Sequence, residues 1–316
     1  MRRGAANWVR LRPTVPPDPT VAEGAPRATA TTARLGIAAA LAVALLATWE
    51  TAQALIAPGR APTNADWTAA AAEVRSGMRA GDLVVTAPGW ADPLLRMHLG
   101  DVITIPMAAR MDDARYGRVW ELAADGDQAA EARGKVIRER RFGALSVRLL
   151  ERPAAAVTFD FLEHWTDARV SRWDPAARVA SPCPWQADRF TCPGGGAVHR
   201  ELVEVDTRIR RALLAPPVAG AIVSMEFPTV LLGRELVVAA GLHDVWARKY
   251  ATGTVNVEVW IEGQPVHSFT VGNRSGWSLQ RVDTSSRDGR TLPVRIQISS
   301  PQPNLRNLAF AAEARR

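Results

Sequence analysis

Thr254-Val255-Asn256-Val257-Glu258-Val259-Trp260-Ile261 alternates apolar and polar side chains along its whole length. Successive residues of a strand point to opposite faces, so Val255, Val257, Val259 and Ile261 share one buried face and Asn256 and Glu258 share a wet one. The same period of two recurs on both sides. Strand-like runs stand at Val157–Phe161, Arg169–Trp173, Ala221–Phe227, Glu235–Leu242, His267–Val271, Trp277–Val282, Pro293–Ser299 and Leu308–Ala312. Turn pairs divide them at Glu262-Gly263, Gly272-Asn273 and Asp288-Gly289. Strands this frequent, without a competing helix, predict a β-sandwich of the jelly-roll kind over residues 153–316.

Upstream of Pro153 the apolar period changes to 3.6. Trp67, Ala70, Ala71, Val74 and Met78 follow Thr63-Asn64 at helical spacing, with N-cap oxygens in place. Leu83–Thr86 reads as a short buried strand, Ala91–Leu99 as a helix, and Asp101–Ile105 and Arg118–Leu122 as further strands. Gln128–Arg141 reads as a charged helix and Ala144–Leu150 as an edge strand. Alternation of this kind predicts a small α/β (Rossmann-like) layer over 63–152, with a mostly parallel sheet.

Still further upstream, Leu35 to Trp49 is one apolar run behind a leader with six arginines against Asp18 and Glu23. Fifteen residues are short against the roughly 20 that span hydrocarbon, but continuing to Ala57 supplies the length. Arginine stays on the cytoplasmic side, so the body is expected outside the inner membrane, in the periplasm. Two readings stay open: a single-pass signal anchor over 35–57, or a signal peptide cleaved at Ala52-Gln53-Ala54. Residues 1–34, punctuated by proline, are expected to be disordered, and Pro58–Pro62 to be a stiff spacer. The expected fold class is therefore α+β and multidomain: membrane helix, α/β layer, β-sandwich.

The net charge of +7 suggests a polyanion partner, but the leader alone carries +4 of it. The remaining +3 is scattered among acids, with Lys135 and Lys249 the only lysines, so no clustered nucleic-acid face is expected. Cys183 and Cys192 are the only cysteines. Eight residues between them exclude a C-x-x-C motif, and no second pair stands at zinc spacing. In an exported chain they are expected to form a disulfide.

Two segments carry resemblances. Asp66-Trp67, Gly81-Asp82-Leu83-Val84-Val85 and Tyr116-Gly-Arg-Val-Trp120 resemble the small exported domain that follows the membrane helices of lipid-linked-sugar glycosyltransferases. The catalytic acidic loop of those enzymes lies in their membrane portion, so their activity is not implied here. Gly276-Trp277 and the closing Leu308–Arg315 resemble galactose-binding-like jelly rolls, which bind sugars through loops at one end or pack against a neighbour.

No residue set makes a plain catalytic motif. The five histidines include no HExxH, and no metal or cofactor is expected. His98, between Asp92 and Asp101, reads more simply as a helix-end residue. Asp160, Glu163 and His164 form an acidic cluster that could serve glycoside hydrolysis, with Glu204 and Asp206 as additions. Gly194-Gly195-Gly196 lacks the strand-to-helix setting of a phosphate loop. The densest mix of aromatic and charged side chains is His243, Asp244, Trp246, Arg248, Lys249 and Tyr250. A flat ring beside polar groups suits sugar recognition, and Asn273, Arg274 and Trp277 are expected to line the same end. The expected role is non-catalytic: an accessory or carbohydrate-binding protein in envelope polysaccharide or glycolipid handling. A glycan-modifying enzyme using Asp160, Glu163 or His98, or a structural partner of a membrane glycosyltransferase, are the alternatives.

Overall fold

A computed structural model describes residues 30–124, 126–249, 253–304 and 306–316; the side chains of 30–34, 56–60, Trp246 and Arg248 lie outside that description. Residues 1–60 and 61–316 are two separate compact units. In the first, helix α1 (Ala30–Arg60) takes in the last residues of the expected leader and runs through Pro58, where a spacer was expected. Its segment Leu35–Leu55 is long and apolar enough to cross a membrane. Residues 1–29 of the leader lie outside the described residues.

The second unit opens with α2 (Asn64–Gly77), β1 (Leu83–Ala87), α3 (Asp92–Leu99) and the single turn α4 (Ile105–Ala108). A capping box starts α2: the Thr63 hydroxyl accepts from Asp66 N–H, and Thr63 N–H donates to the Asp66 carboxylate at 2.8 Å. Strands β2 (Arg118–Ala124), β3 (Lys135–Phe142) and β4 (Leu145–Glu151) complete a four-stranded sheet in the order β1-β2-β4-β3. Its core is Trp67, Ala70, Val74, Leu83, Leu95 and Trp120 with their neighbours. The Trp120 indole donates to Asp82 at 2.9 Å, and the fully buried Glu121 is held by Arg148 at 2.6 Å.

Four expectations fail in this layer. Only β1–β2 is parallel; β2–β4 and β3–β4 are antiparallel, so this is not a mostly parallel sheet. Residues 101–104 form a turn leading into α4, whose first residue is Ile105, because Arg75 grips Asp101 at 2.6 Å and the Thr104 hydroxyl caps a helical turn that Pro106 favours. The charged stretch after Gln128 becomes strand β3. Arg138 and Arg140, two apart and so on one face, both reach Glu73 of α2 at 2.7 and 2.9 Å. That leaves β3 at the edge and β4 in the interior.

The sandwich begins with β5 (Val157–Asp160), β6 (Arg169–Asp174) and β7 (Val179–Pro182). Then come β8 (Trp185–Gln186), β9 (Arg189–Thr191), β10 (Ala197–Val205) and β11 (Arg208–Leu214). Next are β12 (Ile222–Leu231), β13 (Glu235–Leu242) and the helix α5 (Asp244–Lys249). The chain closes with β14 (Val255–Ile261), β15 (Gln264–Val271), β16 (Ser278–Asp283), β17 (Thr291–Ser299) and β18 (Leu308–Arg315). One sheet runs β16-β13-β18-β11-β10-β9-β8, with β5 also on β18; the other runs β15-β14-β17-β12-β6-β7. From β11 onward the chain crosses between the sheets repeatedly, as jelly-roll wiring requires.

The opening octapeptide behaves as its alternation demands. Val255, Val257, Val259 and Ile261 are wholly buried, against Val223, Met225, Phe227, Val294, Ile296 and Ile298 of the same core. Strand β18 is buried on both faces. Its even-numbered residues, such as Phe310 and Ala312, enter the core, while Glu313 and Arg315 on the other face meet Arg115 and Asp112. The segment before β2 therefore covers the outside of the sandwich: Arg211 N–H donates to Ala109 carbonyl, and Met111 joins the sandwich core. The two layers have separate hydrophobic clusters but belong to one compact unit.

Candidate functional site

Strand β13 runs out at Leu242 and α5 turns across the end of the sandwich, its start tied by His243 N–H to the Asn307 carbonyl. Beside it, the β15–β16 connection Gly272–Trp277 returns along the same rim. The two bring Asp244, Asn273 and Arg274 around a cavity of about 270 Å³, with Asp206 from the β10–β11 turn as a fourth polar group. A larger open recess of about 790 Å³ adjoins it across Asn273 and Arg274, reaching Ala247 and Thr254. Asn273 is held by the almost wholly buried Arg306, which donates to its amide oxygen. Gly276 has φ +58°, and a Cβ there would come within 3.3 Å of the Asp206 carboxylate, so this close turn suits glycine.

Of the residues expected to form this end, Asp244, Asn273 and Arg274 are brought together. His243 stands at the start of α5 with its Nδ1 buried and without a hydrogen-bond partner among the described residues. Trp246 and Arg248 belong to α5, and their side chains lie outside the described residues, as does Tyr250. Trp277 is elsewhere. It is half-buried against the core, its indole N–H donating to the Arg208 carbonyl at 3.0 Å and its ring lying 4.9 Å from the Arg210 guanidinium. It braces the β10–β11 hairpin.

That hairpin, Ala197–Leu214, carried no clear alternation in the sequence, and Asp206 entered there only as a further acid. Its turn is a two-residue connection in which Asp206 and Thr207 have φ +50° and +61°, flanked by the pair Val205 and Arg208. Both central residues of such a turn need the left-handed region, which glycine or asparagine usually fills. A β-branched threonine there is strained, and the strain sits between the rim cavity and a second, larger cleft.

The acidic cluster does not converge. Asp160 accepts from Leu162 N–H and faces Arg115 at 3.6 Å, Glu163 is paired with Arg211 at 3.0 Å, and His164 is turned to Asp167 at 3.1 Å. Glu204 is exposed on β10. His98 stacks on Trp67, while Asp92 and Asp101 are engaged by Arg96 and Arg75. Among the described residues no cluster of His, Cys, Asp and Glu is arranged to hold a metal. Cys183 and Cys192 form a disulfide, beside the aromatic group Trp165, Trp185 and Phe190.

No protein-family model matches the chain. Among curated proteins, the L-cysteine:1D-myo-inositol 2-amino-2-deoxy-alpha-D-glucopyranoside ligase of Kytococcus sedentarius is 29% identical over 209 residues. The match covers 54% of this chain, which spans about half (45%) of that ligase. Among solved structures, the tandem CBM51 modules of a family 98 glycoside hydrolase from Streptococcus pneumoniae are 13% identical, covering 55% of this chain and 56% of that one at a TM-score of 0.30. The CBM51-2 and INT domains of Clostridium perfringens ZmpB, with GlcNAc, are 10% identical over 47% and 37% of the two chains, also at 0.30. A CBM51 from a Clostridium perfringens GH95, with methyl-galactose, is 10% identical over 41% and 86%, at 0.28.

Proposed function

We propose that this chain is a membrane-anchored or exported, non-catalytic carbohydrate-binding protein of the cell envelope, with its ligand at the α5 end of the sandwich. The observation that carries the reading is the convergence of Asp244, Asn273, Arg274 and Asp206 on one cavity at the loop end of a β-sandwich. A carboxylate, an amide and a guanidinium supply both donors and acceptors for hydroxyl groups, and Trp246 of the same helix is the aromatic that would pack on a ring face. Buried Arg306 fixes the Asn273 amide before any ligand arrives, which lowers the ordering cost of binding.

Retention of the full chain on an array of neutral and amino-sugar oligosaccharides tests the reading. Arg274→Ala, at an exposed position, is expected to abolish retention and to leave stability within about 0.5 kcal/mol. Trp246→Ala and Asp244→Ala are expected to do the same to retention. Failure of the wild type to bind any glycan ends the proposal. The apolar helix α1 and the disulfide support an extracytoplasmic body, and a reporter active only in the periplasm, fused after Arg60, is expected to be active.

A further inference from the structure

On the far side of the strained turn, a cleft of about 950 Å³ separates the β10–β11 hairpin from α4 and the segment after it. Its carboxylates are already taken. Asp92 is held by Arg96 at 2.6 Å, Glu131 by Arg110 at 2.6 Å, Asp113 by Arg152 at 2.8 Å, and both oxygens of Asp112 by Arg315. The hairpin adds Arg208 and Arg210, and neither has a carboxylate partner among the described residues. Arg208 is exposed, so water could serve it. Arg210 is different: it is half-buried, and its Nη1 is sealed from solvent without a hydrogen-bond partner. Burial, and then the charges of Arg208 and Arg110, push its guanidinium down to about 10. Positive charge is therefore concentrated here against its own repulsion, and Arg210, lying over the Trp277 ring, has no counter-charge paired with it among the described residues.

We propose that this cleft is an oxyanion site, in which Arg210 and Arg208 receive a phosphate or carboxylate borne on a larger ligand. A planar guanidinium donates two parallel N–H groups to such a group. The ligand is larger than a bare anion because the cleft is far roomier than one. It also has an apolar side, because Ile105, Leu202 and Ile209 line the cleft with 61%, 48% and 53% of their surface exposed. This site stands apart from the sugar-binding end and does not rest on it.

Calorimetric titration of the full chain, in neutral detergent, with inorganic phosphate, glucuronate, glucose 1-phosphate and hexyl phosphate tests the site, with glucose as the neutral control. At least one of the three organic anions is expected to saturate, more tightly than inorganic phosphate, and to weaken several-fold between 50 and 300 mM salt. Which anion wins separates a sugar acid, a sugar phosphate and a lipid-like phosphate. Arg208→Ala, a surface change, and Arg210→Gln, which keeps much of the side chain's bulk, are each expected to weaken binding at least tenfold. Glu131→Gln, which releases Arg110, is expected to strengthen it. No saturable binding by any of the anions, or binding unchanged in either arginine variant, overturns the proposal.

Discussion

Arg315 donates from Nη1 and Nη2 to the two carboxylate oxygens of Asp112 at 2.8 and 2.9 Å, joining residues 203 positions apart. The guanidinium is wholly buried, and its Nε holds Glu313 at 2.7 Å as well. One cation thus fastens the last strand of the sandwich to the segment that leads into β2. Burial alone would raise the Asp112 carboxyl, but the hydrogen bonds and charge of Arg315 outweigh it and hold the group below its ordinary value. Glu313 goes the other way: its burial outweighs Arg315 and Arg115 and raises it.

Those directions set a pH dependence. The Asp112 contribution is fully present above the ordinary carboxylate value of about 4 and is lost as pH falls through its depressed one. The raised Glu313 opposes it, weakening the fold as pH rises through its own value. Asp112→Asn is expected to flatten the acid limb of a urea-stability profile, whereas Glu313→Gln steepens it. Asp112→Ala leaves a buried cation with less compensation and is expected to cost about 3–5 kcal/mol at pH 7. A loss under 1 kcal/mol would show the pair to be dispensable.

Trp277 is expected to matter to stability. Trp277→Ala removes a half-buried ring, its hydrogen bond to the Arg208 carbonyl and the platform beneath Arg210. Chemical denaturation is expected to show a loss of about 3 kcal/mol. Trp277→Phe keeps a ring but leaves that carbonyl without its donor, a loss of about 1 kcal/mol. If both variants melt like the wild type, the bracing role is wrong.

The disulfide closes a short loop, with nine positions separating its cysteines. Peptide mapping without reductant is expected to recover Cys183 linked to Cys192. The double change to alanine is expected to lower stability by about 2–3 kcal/mol, on the entropy of closing a loop of that size. Free thiols in protein taken from the envelope would contradict both the link and the expected compartment.

At the β10–β11 turn, Thr207→Gly removes a β-branched residue from φ +61°. Relief of roughly 1–2 kcal/mol of left-handed strain, less the entropy that glycine loses on folding, leaves a net gain of up to about 1 kcal/mol. A rise in the denaturation midpoint checks it. Loss of stability would mean that the threonine makes contacts outweighing its strain.

Period-two alternation was enough to place β14 and β17 and to choose a sandwich, because each of these strands carries its own buried face in its own residues. The N-cap oxygen at Thr63 and the buried strand β1 were legible for the same reason: short-range hydrogen bonding and local burial suffice. The Cys183–Cys192 link needed proximity along the chain and the exported compartment that the apolar helix implied. By contrast, β3 carried a charged pattern that also suits a helix, and only Glu73 on α2 turned Arg138 and Arg140 into one face of a strand. Parallel or antiparallel pairing of β2 with β4 is likewise invisible locally, since either neighbour satisfies the same backbone groups.

The candidate sites divide the same way. Asp244, Asn273 and Arg274 could be singled out because two turn-rich segments each carried polar side chains suited to sugar hydroxyls. Asp206, Arg306, Arg208 and Arg210 acquired their roles from distant partners that no spacing announces. Trp277 looked like a binding aromatic for the lack of any local sign that Arg208 and Arg210 would fold onto it. What this chain encodes by itself is where its alternating strands, its first helix cap, its cysteine pair and its apolar helix lie, since each depends on neighbours along the chain. Which charges are neutralised and which are left facing a cleft was decided by tertiary structure, because Coulomb energy depends on distance in space and on burial.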